Sequence, residues 1–351
     1  MTPPLRWGVV GTGPIAATVT ADLALTPGAV VHGVCSRTVP GARAFAETHG
    51  VAQTYTDVAT MAADVDVVYV ATPHTAHLAA ATAAIGAGTA VLVEKPLTAT
   101  PAGARQLVAT ARAHEVFCME AMWTHFLPVT EALLEVVAGG EVGRVRALHA
   151  AVGSPVPPVP GGRLHDPRLG GGALLDVGVY PVWLALLLLG PVTSVTASGE
   201  VSGTGVDVLA GLLLTHRDGG LSLLSATLSS DASNAAVVEG ACGSVRLEAP
   251  VWNPSAMTVR SQAEGSARTV RPAARGAGYV PMLEHVQDCV RAGLTESPSH
   301  PLAATLAVTE VLDEALARLG AVRPDERGPA DDVRPPVADG GGTGPGRHLA
   351  G

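Results

Sequence analysis

The chain is 351 residues long, 47% apolar and 15% charged, enough to bury a substantial core in about two domains, which excludes a disordered protein. A formal charge of -9 and the lack of any arginine-rich run exclude a nucleic-acid-binding face and disfavour membranes as partners. Only one of the 22 lysine and arginine residues is a lysine, Lys95, so arginine is the default cation and that position stands apart.

The N-terminal stretch MTPPLRWGVVGTG lacks the basic start and long apolar run of a signal peptide, so cytoplasmic residence is expected. Arg6–Val10 predicts a strand running into a glycine-rich turn, and Ile15–Leu25 a helix. A second strand, Val30–Cys35, ends at Ser36-Arg37, and a helix follows through Phe45 and Glu47. Asp66–Ala71 predicts a third strand, His77–Ala87 a helix, Ala90–Val93 a strand, Pro101–His114 a helix and Val116–Met119 a strand. This alternation predicts an α/β fold, with a parallel doubly wound sheet of the Rossmann kind over residues 1–121.

Beyond it the texture changes. Residues 128–138 predict a helix, 144–151 a strand, and 152–172 a Pro/Gly-rich loop that opens a helix from Ala173. The apolar run Tyr180–Gly190 is too short to span a bilayer and reads as a buried helix. From Val192 to Val259, short strands separated by Gly, Ser, Asp and Asn turns predict a large, mainly antiparallel sheet. Pro281–Ala292 and Pro301–Leu319 predict two closing helices. An α+β domain over 122–322 is therefore expected, and 323–351, with almost nothing to bury, reads as a disordered tail. Cys35, Cys118, Cys242 and Cys289 form no CxxC pair and read as reduced, buried thiols.

Gly11-Thr12-Gly13-Pro14-Ile15-Ala16 has GxGxxA spacing between a strand and a helix. The first glycine permits the turn, the second lets backbone approach a pyrophosphate, and the helix N-terminus favours the anion. An NAD enzyme would carry an Asp or Glu after the second strand, but this chain has Ser36 and Arg37, a hydroxyl and a guanidinium suited to a 2′-phosphate. NADP is the expected cofactor, with NAD as the alternative. Thr72, Pro73 and His77 follow the third predicted strand at the ligand-binding edge. His74 and His77 lack further ligands at metal spacing, so no metal is expected, and His77 is read as orienting the loop beneath the nicotinamide.

Glu94-Lys95-Pro96 ends another parallel strand, where a compact ammonium can stabilise an alkoxide as it forms. In Gly170-Gly171-Gly172-Ala173-Leu174-Leu175-Asp176-Val177-Gly178-Val179-Tyr180, Asp176 and Tyr180 are four apart and hence on one helical face. Tyr180 is expected to act as a base once Lys95 lowers its pKa, with Asp176 positioning substrate or lysine. Trp123, Arg163 and Trp252 are candidates for the substrate-pocket wall, Glu94 and Lys95 also count among the cofactor contacts, and Glu94 and Glu120, at strand ends, are candidates for substrate contacts.

Taken together, GTGPIA, SR after the second strand, ATPHTAH, VEKPLT, MEAMWTHFLP and GGGALLDVGVYP resemble the Gfo/Idh/MocA family of NAD(P)-dependent oxidoreductases, from about Arg6 to Gly320. Within it the last two segments are most similar to the dimeric dihydrodiol dehydrogenases and NADP-dependent D-xylose 1-dehydrogenases. The resemblance implies a Rossmann domain, a second domain whose open sheet forms a homodimer or higher homo-oligomer interface, and a site in the cleft between them. Lys95 falls on the lysine of the family's EKP motif, Tyr180 on its catalytic His or Tyr position, and Asp176 on the acid of GGGxxxD. The implied reaction is hydride transfer between the nicotinamide and a hydroxyl-bearing carbon of a sugar, polyol or cyclic diol. His125 departs from the arginine expected in Trp-Thr-x-Phe, which leaves the substrate open. A non-catalytic NADP- and sugar-binding regulator is the alternative, though such proteins tend to lose Lys95, Asp176 or Tyr180.

Overall fold

The computed structural model describes residues 3–262, 265 and 267–324; the tail read as disordered lies outside the described residues beyond Pro324. In the first half the chain runs β1 (Leu5–Val10), α1 (Pro14–Leu25), β2 (Ala29–Cys35), α2 (Val39–His49), β3 (Gln53–Tyr55), α3 (Val58–Ala63), β4 (Val67–Val70), α4 (His77–Gly86), β5 (Ala90–Glu94), α5 (Pro101–Ala113) and β6 (Cys118–Ala121). Its six strands are all parallel, in the order β3-β2-β1-β4-β5-β6. The central strands are buried on both sides, which explains their near-continuous valine runs. Val67 and Tyr69 face a core shared with Ala16, Val19 and Leu23 of α1, while Val68 and Val70 face Ala81 and Ile85 of α4 and Leu107 of α5.

The second half adds α6 (Pro128–Ala138), β7 (Val145–Gly153), α7 (Val179–Leu189), β8 (Val192–Val201), β9 (Asp207–His216), β10 (Leu221–Thr227), β11 (Ala235–Gly240), β12 (Gly243–Leu247), β13 (Met257–Ser261), β14 (Ala267–Val270), α8 (Val280–Arg291) and α9 (Leu302–Leu319). Its eight strands lie in the order β14-β13-β12-β11-β7-β10-β9-β8, antiparallel except for β7 beside β10. Period-2 alternation in β9 sends Ala210, Leu212 and Leu214 into the core and leaves Leu209 and Leu213 on the outer face.

Four expectations change. The pair β3 and α3 lies where no element is predicted, because three- and six-residue pieces are too short to show a period; Asp57 caps α3 by accepting from Thr60 N at 2.8 Å. The strand predicted at Val116–Met119 is Cys118–Ala121, because the turn after α5, with Glu115 at φ 54°, occupies the preceding residues. The helix expected from Ala173 begins as a wide π turn, Leu174–Gly178, before α7. That helical run, Pro167–Leu189, is long and apolar enough to cross a membrane, but 78% of its apolar window is buried inside the protein, as in a core helix. Of the four free cysteines only Cys242 is exposed, contrary to the expectation that all are buried.

Candidate active site

The carboxyl edge of the first sheet changes direction beside β1, whose neighbours β2 and β4 lead to opposite halves of the sheet. Gly11 sits there with φ 111°, a conformation open to glycine, and a Cβ would lie 2.4 Å from the Ala71 carbonyl oxygen. A Cβ on Gly13 would meet nothing, so open space lies against the backbone leading into the N-terminus of α1. At the end of β4 the Thr72 hydroxyl is buried without a partner. An orphaned hydroxyl and a glycine facing open space fit a dinucleotide whose pyrophosphate lies over Gly11, Thr12, Gly13, Pro14 and Ile15. Ser36 is half-buried and Arg37 exposed at the end of β2, beside Thr38, which caps α2. His77 is buried below this edge, with Nδ1 3.0 Å from the Pro96 oxygen and Nε2 2.9 Å from the Thr72 oxygen, tying the segment that holds Thr72 and Pro73 to that after β5.

Lys95 leaves β5 through a cis Lys95–Pro96 peptide and is 2% exposed. Its Nζ donates to the Asp176 carbonyl oxygen at 2.6 Å, lies 4.0 Å from Asp176 Oδ1 and stands 4.9 Å from the centre of the Tyr180 ring. Asp176 Oδ1 also accepts from Arg163 Nη2 at 2.8 Å. Burial lowers the lysine pKa, opposed by the charges of Asp176 and Glu94. Although burial opposes ionisation of Asp176, the Arg163 and Lys95 charges win and hold it down at about 2. Lys95, Asp176 and Tyr180 therefore come together, and Arg163 joins them.

Tyr180 does not match expectation in its proton affinity. Burial first, then the Glu94 carboxylate, raise its pKa well above that of free tyrosine. The ammonium stands over the ring, and its hydrogen bond goes to the Asp176 carbonyl. The group is a phenol in this cleft. Trp123 Nε1 donates to its oxygen at 3.2 Å, and the Trp252 ring lies 6.0 Å away, tilted by 32°. Trp123, Trp252 and Arg163 thus all border Tyr180 or Asp176.

One further reading changes. Glu120 faces inward, fully buried, where it accepts from Leu97 N (2.8 Å), His300 Nε2 (3.2 Å) and Thr305 Oγ1 (3.0 Å); it braces the segment after Lys95 and does not face the cleft. His125 packs beside Phe126, Trp183 and His300. Glu94 is engaged from within, by the Tyr69 hydroxyl at 2.6 Å and by Lys95 N at 3.2 Å.

Sequence reasoning passed over Tyr69 and Tyr279. Tyr279 stacks on Trp123 with ring centres 4.3 Å apart, and Asp22 of α1 fixes it by accepting from Ala277 N and Tyr279 N. Aromatics are only 3% of the chain, and that rarity was the available signal for both tyrosines.

Residues 5–122 match the oxidoreductase family model with an NAD-binding Rossmann fold, and residues 130–246 match a GFO/IDH/MocA C-terminal domain. The trans-1,2-dihydrobenzene-1,2-diol dehydrogenases of Mus musculus and Homo sapiens are each 34% identical to the chain, over 337 and 333 residues, covering 92% of it and 99% of each relative. Among solved structures, a 3-ketoreductase from Actinomadura kijaniata in complex with NADP and TDP-benzene aligns at 27% identity with a TM-score of 0.78, covering 92% of this chain and 99% of that one. Levoglucosan dehydrogenase in complex with NADH and levoglucosan shares the fold, with a TM-score of 0.81 at 18% identity over 90% of this chain and 98% of that one.

Removing the Asp176 side chain strands a buried ammonium beside a guanidinium. Asp176→Ala is expected to lower stability by about 3–5 kcal/mol in urea denaturation; a loss below about 1 kcal/mol would show that Lys95 is not held by this carboxylate.

Proposed function

The chain belongs to the Gfo/Idh/MocA family of oxidoreductases, and from that premise we propose that it moves a hydride between a nicotinamide dinucleotide and a hydroxyl-bearing carbon of a sugar, polyol or cyclic diol. The observation that carries this reading is the Lys95 ammonium, buried between Asp176 and Tyr180 at the end of β5. When bound, the nicotinamide supplies the hydride acceptor or donor. Gly11, Thr12, Gly13, Pro14 and Ile15 would hold the pyrophosphate, Thr72, Pro73, His77 and Glu94 would shape the edge below the nicotinamide, and Ser36 with Arg37 would take a 2′-phosphate, which favours NADP over NAD.

The proton chemistry is clearest in the direction of carbonyl reduction. Tyr180, kept protonated by burial and Glu94, donates its proton to the carbonyl oxygen as that oxygen gains charge. Lys95 stabilises the forming alkoxide, and Asp176, anchored by Arg163, holds the ammonium in place and charged. Oxidation of the alcohol runs the same transfer backwards. Trp123, Tyr279 and Trp252 suit the apolar face of a sugar or ring diol.

We place the boundary between a cofactor domain, 1–121, and a substrate domain, 122–322, at the end of β6, a reading supported by the family match that ends at residue 122. A homodimer is supported by the outer face of β9 and β10, where Leu209, Leu213, Leu221 and Leu223 lie exposed and where Leu213 and Leu223 help to line an apolar concavity of about 650 Å³. Four free thiols support a reducing compartment, which we take to be the cytoplasm.

With NADPH absorbance followed across aldoses, inositols, dihydrodiols and dicarbonyls, Tyr180→Phe is expected to lower kcat about 100- to 10,000-fold while NADP still binds. Normal turnover in that variant would remove Tyr180 from the proton transfer, and a wild-type protein that binds NADP without turnover on the panel would be the regulator instead. Arg37→Ala should weaken NADP binding about 10- to 100-fold and leave NAD binding unchanged; equal losses for both would reject the 2′-phosphate assignment. Leu223→Asp should convert a dimer to a monomer in light scattering, and an unchanged mass would exclude this face as the interface.

A further inference from the structure

Asp207, the first residue of β9, is fully buried and lies outside the chemistry described above. Its Oδ2 accepts from Leu174 N at 2.7 Å, and Leu174 opens the π turn that carries Asp176. No cation is paired with this carboxylate among the described residues, an expensive arrangement for a buried acid. Burial pushes its pKa up to about 7, while the backbone N–H groups of Leu174, Asp207 and Ala173 pull the other way. The turn has no capping side chain of its own, so Asp207 caps it from across the fold by accepting from Leu174 N.

The glycine triplet accounts for how close the carboxylate comes. Gly172 has φ 116°, and a Cβ there would lie 2.1 Å from Asp207 Oδ1. A side chain at 172 would drive the carboxylate off Leu174. From the turn it caps project the carbonyl that receives Lys95 Nζ and the carboxylate that pairs with Arg163, and Tyr180 follows in the next turn. π turns are uncommon, and where they occur they often re-aim side chains at functional sites.

We propose that Asp207 is a positioning residue for catalysis: by accepting from Leu174 N across from β9, it sets the turn whose Asp176 carbonyl and carboxylate hold Lys95 in register with Tyr180. This rests on the hydride-transfer reading above, so its test includes a signal independent of turnover. The chain's single lysine makes one available, because protein grown with ¹³C-lysine gives one lysine Cε resonance, that of Lys95.

Asp207→Ala is expected to move or broaden that resonance and lower kcat at least about tenfold, while the NADPH dissociation constant changes less than about twofold, since Asp207 is not among the neighbours of Gly11 or Gly13 in the dinucleotide turn. Asp207→Asn, whose amide oxygen can still accept from Leu174, should restore both the resonance and most of kcat. Gly172→Ala, pressing from the other side, should reproduce the alanine effects and stands in if Asp207→Ala fails to fold. A folded Asp207→Ala or Gly172→Ala protein with a wild-type Lys95 resonance and kcat overturns the inference, as does an asparagine variant as impaired as the alanine. A wild type inert on the whole substrate panel sinks the hydride-transfer reading, yet the resonance still decides whether Asp207 sets Lys95.

Discussion

The hydrogen bond from the Lys95 ammonium to the Asp176 carbonyl joins the two halves of the cleft, and the remaining site geometry depends on it. Lys95 comes from the edge of the parallel sheet, and Asp176 from the turn before a helix packed on the antiparallel one. An ammonium this deeply buried stays charged only with partners close by. Asp176 supplies a carbonyl and a carboxylate, Glu94 a second negative charge, and Arg163 with Lys95 holds the Asp176 pKa down at about 2.

That electrostatic frame recasts Tyr180. A lysine near a tyrosine suggests a lowered phenol pKa, but the outcome depends on which atom the ammonium faces and what else is close. Here Lys95 stands over the ring, Glu94 adds negative potential, and water is excluded, so the phenol keeps its proton. The proposed chemistry is then most natural as proton donation to a carbonyl. The aromatic wall is built in series: Asp22 fixes Tyr279, Tyr279 stacks on Trp123, and Trp123 holds the Tyr180 oxygen.

Much of the architecture was legible because it rests on repeating signals. Alternating strands and helices with apolar centres marked the parallel sheet, and period-2 runs marked the antiparallel one. Where no period could form, as in the three residues of β3, nothing was visible. The site was legible where composition made a residue improbable, as for the lone lysine, or where glycine spacing reported backbone need, as at Gly11. Glu120 was misread because a carboxylate at a strand end gives no sign in one dimension of which way it faces. Folded, it turns inward to Leu97, His300 and Thr305.

The sequence alone determined the order of the longer elements, the dinucleotide turn and the residue types available for proton and hydride chemistry, because these follow from local spacing and backbone preference. Only the tertiary structure decided proton affinities and supports: that Tyr180 is a phenol, that Arg163 belongs to Asp176, and that Asp207, 33 residues beyond Leu174, caps its turn. Electrostatic fields and buried hydrogen bonds depend on distance and on excluded water, and both arise only when segments remote in the chain are packed together.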